Sequence, residues 1–189
     1  GLAWTDSSLM PSFCDYDLDG DLDMYLVTNQ FHWLGESTPD DKTIIGMHEG
    51  KPFIKEPYNL YYRLKSYRQH PTKGWQFNWS ATGRPDFLFR NNGNGTFSEV
   101  TRKAGMMHGF DRGLSATWWD YNDDGYPDLY VANDWGDRDF LYHNNGDGTF
   151  RDAIEDIVPY TPMFSMGSDT GDLNNDGRID FIAADMSGT

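Results

Sequence analysis

Short apolar runs alternate along the chain with stretches crowded by Asp, Asn and Gly. Residues 22–28, 129–132 and 179–183 are brief, apolar and partly β-branched, the pattern of buried strands rather than helices. A nine-residue stretch rich in Asp, Asn and Gly opens each: 15–23, 120–128 and 172–180, all reading D-x-[DN]-x-D-G-x-x-D. A further strand over 9–14 enters the first of these loops. A second pattern begins at Asp86 as DFLFRNNGNGTF and returns 53 residues later at Asp139 as DFLYHNNGDGTF, with nine of twelve positions identical. Strands flanking an Asn/Gly-rich turn, where positive φ is tolerated, predict a β-hairpin in each copy.

Spacing assembles these pieces into a repeat. The second and third loops start 52 residues apart and the first and second 105 apart, about two periods, with an insertion occupying the space of one. One unit is then strand, acidic loop, strand, connection, strand, Asn-Gly turn, strand. Four antiparallel strands per roughly 50 residues is the sequence form of a β-propeller blade. A β-sandwich could use the same hairpins, but it does not require an identical loop and turn at fixed spacing. The expected fold is all-β, made of four-stranded blades with acidic loops and forming part of a larger propeller of about seven blades. Repeat units are expected at 1–29 with 86–105, at 106–158 and at 159–189, and the insertion at 30–86.

The nine-residue loops have the chemistry of a hard-cation site. Oxygen side chains at positions 1, 3, 5 and 9 can converge on one ion, the carbonyl at position 7 can join them, and Gly at position 6 permits the bend. In the first loop five carboxylates would otherwise repel one another at close range. An EF-hand shares this first half but needs a bidentate Glu at position 12 and helices on both sides. Position 12 here is Leu26, Val131 or Ala183, followed by strand, so position 9 is expected to supply the closing carboxylate.

Charge sharpens the division between repeats and insertion. The chain of 189 residues carries a formal net charge of −15, which disfavours nucleic acid and anionic membranes as partners. Twelve of its thirty acidic residues sit in the three loops, whereas residues 30–86 hold eight Lys/Arg against six Asp/Glu. That insertion also carries five prolines and clustered aromatics, and is expected to be irregular apart from a short helix over 59–69. Its aromatic residues either pack a small satellite core or present a contact surface, with Trp33, Tyr61, Tyr62, Trp75 and Trp79 as the candidate partner-binding set. Trp118 and Trp119 should point to opposite faces of their strand. The single cysteine, Cys14, excludes an internal disulfide and reads as a small buried hydrophobe. No apolar run approaches the roughly 18 residues of a membrane span, and no signal peptide is visible.

With both motifs in view, the chain resembles the FG-GAP/VCBS-type repeat proteins, the calcium-loop β-propellers that include the integrin α-subunit head, and within them the bacterial branch with NNGDGTF-like hairpins. The resemblance covers about 1–29 and 86–185. It implies three Ca²⁺ sites, held by Asp15, Asp17, Asp19 and Asp23; by Asp120, Asn122, Asp124 and Asp128; and by Asp172, Asn174, Asp176 and Asp180. Asp21, Tyr126 and Arg178 would add carbonyls.

The function expected from this is a calcium-stabilised scaffold working outside the cytoplasm, in the periplasm, at the cell surface or after secretion. Its partners would be other protein chains, the rest of the propeller, or a glycan. The alternative is part of a propeller-built polysaccharide lyase or hydrolase. No catalytic constellation is visible in the sequence: His32, His48, His70, Glu49 and Glu56 have no spacing that demands acid–base work. Zinc-type His/Cys spacings, Gly-x-Ser-x-Gly and phosphate-cradling Gly loops are absent as well.

Overall fold

A computed structural model describes residues 8–29, 40–60, 62–106 and 111–186. The chain divides into two compact units, one formed by Gly1–Asn29 with Arg84–Thr189 and the other by Gln30–Gly83. The strands run in the order β1 (Ser8–Cys14), β2 (Asp23–Thr28), then β3 (Ile45–His48), β4 (Lys51–Ile54), β5 (Tyr62–His70) and β6 (Gly74–Ala81) inside the second unit. They continue with β7 (Phe87–Asn91), β8 (Phe97–Glu99), β9 (Gly113–Trp119), β10 (Asp128–Asn133), β11 (Phe140–Asn144), β12 (Phe150–Asp152), β13 (Ser165–Gly171) and β14 (Asp180–Asp185). Two single-turn helices, α1 (Asp41–Ile44) and α2 (Ile154–Ile157), complete the set.

In the first unit, β1-β2-β7-β8 form one antiparallel four-stranded sheet and β9-β10-β11-β12 a second, while β13 and β14 pair as the opening half of a third. These are β-propeller blades, and they do not close a ring among the described residues. Each acidic loop joins the first two strands of its blade, and each Asn-Gly turn joins the last two.

Strand alternation sends successive side chains to opposite faces, and both faces of the second strands are covered. Tyr25 and Val27 of β2 enter a core shared with Leu88, Leu129, Val131, Phe140 and Tyr142, whereas Met24 and Leu26 pack with Phe89 on the other face. On β10, Leu129 and Val131 belong to the first core, and Tyr130 and Ala132 to a separate one reaching Phe181 of β14. Consecutive blades therefore share their interiors. The adjacent tryptophans follow the same rule: Trp118 stacks on Tyr16 at 6.4 Å, and Trp119 lies flat on Phe181 at 4.8 Å. Cys14 is half-buried, and burial pushes its thiol up to about 12.

The second unit interrupts the first blade between β2 and β7, and it corrects two expectations. Residues 62–70 form β5 rather than a helix, and the 3₁₀ turn Tyr58–Leu60 overlaps the start of the expected helical stretch. The strand wins because β6 supplies cross-strand partners, Leu64 to Trp79, Tyr67 to Phe77 and Gln69 to Trp75. Nor are all its other described residues irregular, since β3 and β4 make a second hairpin. Among its described residues Ile44 and Ile45 are buried hydrophobics, and no described aromatic of β5 or β6 is buried. The unit ends at Gly83, and residues 84–86 belong with the repeats, where Thr28 Oγ1 donates to the Pro85 carbonyl at 3.2 Å.

Candidate metal centre

The three acidic loops are built by the same hydrogen bonds. The first aspartate closes each one: Asp15 accepts the amides of Asp19 and Gly20 (3.0 and 3.0 Å), Asp120 those of Asp124 and Gly125 (3.1 and 2.7 Å), and Asp172 those of Asp176 and Gly177 (3.0 and 2.9 Å). The fifth-position carboxylate accepts the amide of position 7, from Asp21, Tyr126 or Arg178 (3.0, 2.9 and 2.9 Å). Glycine is required at position 6, where φ is 95°, 90° and 83°. Position 4 is also left-handed, at Leu18, Asp123 and Asn175 (φ 59°, 58° and 61°). Asp123 and Asn175 are residue types that tolerate this conformation, whereas Leu18 gives no sequence signal of it.

Position 3 separates the first loop from the others. Ligand-capable oxygens of Asp15, Asp17 and Asp19 all lie within 4.8 Å of one another. Asp17 Oδ1 is buried with no hydrogen-bond partner, and burial, followed by the Asp19 charge, raises the Asp17 pKa. In the other loops position 3 is an asparagine that satisfies itself internally. Asn122 Nδ2 donates to Asp124 Oδ2 at 2.9 Å, and Asn174 Nδ2 to Asp176 Oδ2 at 3.2 Å. An orphaned carboxylate oxygen amid all-oxygen donors, with no thiolate or imidazole in the set, fits a hard divalent cation. The third loop is the most open, with Asp172, Asn174, Asp176 and Arg178 all exposed.

The ninth position has a role that the sequence did not disclose. Asp23 and Asp128 are buried, and each ties the loop to the hairpin of its own blade. Asp23 accepts the Tyr16 amide at 3.3 Å and the Asn91 amide at 2.8 Å; Asp128 accepts those of Tyr121 at 3.2 Å and Asn144 at 2.8 Å. Burial pushes Asp23 up to about 6 and moves Asp128 in the same direction. Asp180 holds the Leu173 amide at 3.0 Å.

The hairpin turns answer from the other side. Asn91 Nδ2 donates to the Leu22 carbonyl at 3.1 Å, and Asn144 Nδ2 to that of Pro127 at 3.1 Å, in each case position 8 of the loop. A Cβ at Gly93 or Gly146 would come within 2.9 Å of the position-7 side chain, Asp21 or Tyr126, so these turns sit directly on their loops. Asn144 does more: its Nδ2 also donates to the Tyr16 carbonyl at 2.8 Å, joining the second blade's hairpin to the first blade's loop. Repetition of the hairpin predicted a turn, not this clamp. The identical Asn at its fifth strand residue was the available signal.

The aspartate that opens each hairpin is a post, part-buried at Asp86 and fully buried at Asp139. Asp86 accepts Tyr25 Oη at 3.0 Å and the Thr28 amide at 2.7 Å. Asp139 repeats this with Tyr130 Oη and the Asn133 amide, and also accepts Ser165 Oγ of the next blade at 2.6 Å. Burial pushes Asp86 up to about 7, against the hydrogen bonds that pull it down, and raises Asp139 likewise.

Of the five candidate contact residues, Trp33 and Tyr61 lie outside the described residues. Tyr62 and Trp79 meet edge-on at 5.2 Å, and Trp79 Nε1 donates to Asp41 Oδ1 at 2.6 Å. Trp75 is exposed between Tyr67 and Phe77. His48 and Glu49 sit at the β3–β4 turn, and His70 Nδ1 accepts the amides of Thr72 and Lys73 in the β5–β6 turn. Glu56 lies between β4 and the 3₁₀ turn, and His32 outside the described residues.

Fold and loops together define a repeat protein of propeller blades, each with an aspartate loop between its first two strands and an Asn-Gly hairpin between its last two. The FG-GAP-like repeat family matches residues 77–131 and 120–183, more than half of the chain, and the chain belongs to that family. It is similar to cartilage acidic protein 1 of Homo sapiens, 33% identical over 106 residues, and to cartilage acidic protein 1 of Xenopus tropicalis, 34% identical over 104 residues. These alignments span 52% and 51% of this chain but 15% of the length of either relative. No helix of the described residues is long and apolar enough to cross a membrane.

Proposed function

We propose that the repeats form a calcium-stabilised scaffold that works outside the cytoplasm and holds the segment 30–83 for contact with a protein or glycan partner. The observation that carries this reading is the convergence of Asp15, Asp17 and Asp19, with one buried oxygen left unsatisfied. Asp15, Asp17, Asp19 and Asp23, with the Asp21 carbonyl, would hold one Ca²⁺; Asp120, Asn122, Asp124, Asp128 and Tyr126 a second; Asp172, Asn174, Asp176, Asp180 and Arg178 a third. Calcium supplies charge neutralisation and cross-linking of loop oxygens, and extracellular modules commonly bind it with Kd of order 10⁻⁴–10⁻³ M. Loops of that affinity fill only where calcium is plentiful, which supports the extracytoplasmic reading.

The test is thermal unfolding with calcium and with a chelator. A site filled at about 100 times its Kd stabilises the folded state by about 2.7 kcal/mol, so the chain should melt well above its chelated form. Identical melts would overturn the proposal.

A further inference from the structure

We propose that the cavity between the first acidic loop and the second blade's Asn-Gly turn binds a small monocarboxylate, a ligand with one carboxylate on a partly apolar body. The inference rests on the calcium reading of the first loop and adds a second ligand beside it. The cavity measures about 540 Å³, a size suited to a small molecule. Asp17 lies on its loop side, Arg90 on β7, Lys103 and Ala104 on the connection between blades, and Asp147 and Thr149 on the turn. These walls are held in place. The Phe150 amide donates to the Ala104 carbonyl at 2.8 Å, a Cβ at Gly105 would come within 2.9 Å of the Phe150 carbonyl, and Asn144 ties the turn to Tyr16.

Acceptors and donors in the walls are unequally committed. Asp147 accepts the amide and the hydroxyl of Thr149, at 3.0 and 2.5 Å, and Thr149 Oγ1 in turn accepts Asn145 Nδ2 at 3.0 Å. Asp17 belongs to the cation loop. The cations are uncommitted: neither the Arg90 nor the Lys103 side chain makes a hydrogen bond or ion pair with a described residue. In the second blade, by contrast, Arg112 pairs with Asp137, Arg138 with Asp152 and Arg151 with Asp156. Two unpaired cations on one cavity, in a chain of net charge −15, leave a place for an acceptor that the described chain does not supply.

Arg90 faces the loop, for its charge opposes the rise that burial gives the Asp17 pKa. A calcium ion in the loop adds two positive charges on that side, which weakens the hold of the carboxylates on Arg90 and favours an anion in the cavity. A guanidinium and an ammonium hold a carboxylate by charge-assisted hydrogen bonds, and Val100 and Ala104 line the cavity with apolar side chains. A zwitterion would need a free acceptor, and both wall carboxylates are occupied. A dianion such as a phosphate monoester brings a second negative charge against Asp147 and the acidic loop.

The experiment follows the backbone amide NMR shifts of Ala104, Gly146 and Gly148 in the full chain with calcium. Benzoate is the probe, with benzamide, benzylammonium and phenyl phosphate as matched controls. Benzoate should move these signals saturably with a Kd of about 1 mM or below, and each control should bind at least about fivefold more weakly. Arg90→Gln and Lys103→Gln should each weaken benzoate binding about fivefold. Both side chains are exposed, so these variants should keep the parent melting temperature. Chelation should weaken benzoate binding about fivefold, and Asp17→Asn in chelator should recover part of that loss. No saturable shift, a control that binds as tightly as benzoate, variants with the parent's affinity, or indifference to chelator in a chain that binds calcium would overturn the proposal. Benzoate binding in a chain whose melting ignores calcium would instead sink the calcium reading alone.

Discussion

Asp17 and its counterparts Asn122 and Asn174 occupy the same loop position with opposite consequences. The asparagines hydrogen-bond the fifth-position carboxylate, whereas Asp17 leaves an oxygen buried and unpaired beside two other carboxylates. Asp17→Asn should therefore stabilise the calcium-free chain by roughly 1 kcal/mol, by removing that cost, while reducing the stabilisation gained on adding calcium. Chelated and calcium-loaded unfolding curves of parent and variant check both signs; a variant less stable in chelator would contradict the assignment.

Asp86 gives a pH dependence. Its folded pKa, about 7, lies above the ordinary 3.8 because of burial. The protonated form therefore favours folding: the contribution is fully present below about pH 4 and is lost as pH rises through about 7, amounting to a few kcal/mol. In chelator, Asp86→Asn should flatten the decline of stability between pH 5 and pH 7.5 measured by urea unfolding; an unchanged slope would place the titration elsewhere. Ligand positions 1, 3 and 5 were legible because each requires an oxygen side chain. The post formed by Asp86 was not, since its partners Tyr25 and Thr28 lie about 60 residues away in sequence.

Loop and hairpin form one device within a blade, and Asn144 extends it across two. Its side-chain amide donates to Tyr16 in the first loop and Pro127 in the second, and its Oδ1 accepts the Gly146 amide. Asn144→Ala breaks one buried and two part-buried hydrogen bonds and should cost about 2–3 kcal/mol. It should also weaken calcium binding at both loops, whereas Asn91→Ala should affect the first alone. Calcium titrations of the two variants, with Asp19→Ala marking the first site, separate these outcomes; an Asn144→Ala effect confined to the second loop would refute the link.

The blades' strands were readable from alternation and from turns at fixed spacing. Residues 59–69 were misread because the pairing that decides the matter lies across a turn on β6. Pro71 and Gly74, which bound that turn, were the local clue.

For the whole molecule, the repeats carry the negative charge and the cation loops, and the inserted unit carries the aromatic and basic surface. The insertion leaves and re-enters the first blade at neighbouring points, for Thr28 bonds both Pro85 and Asp86. Replacing 30–83 with a short Gly/Ser link should leave calcium-dependent melting in place while abolishing partner binding. Loss of the calcium response in the deletion variant would show that the repeats depend on the insert.

Among the loops, the first has the most carboxylates and the unsatisfied oxygen, whereas the third is exposed and carries Arg178. Affinity should therefore be highest at the first and lowest at the third. The direct measurement is calcium stoichiometry by equilibrium dialysis on parent, Asp19→Ala and Asp176→Ala chains. Three ions per parent chain are predicted, with the tightest step lost in Asp19→Ala and the weakest in Asp176→Ala. A parent chain that retains no calcium at millimolar free ion, or variants that bind as the parent does, would contradict the account.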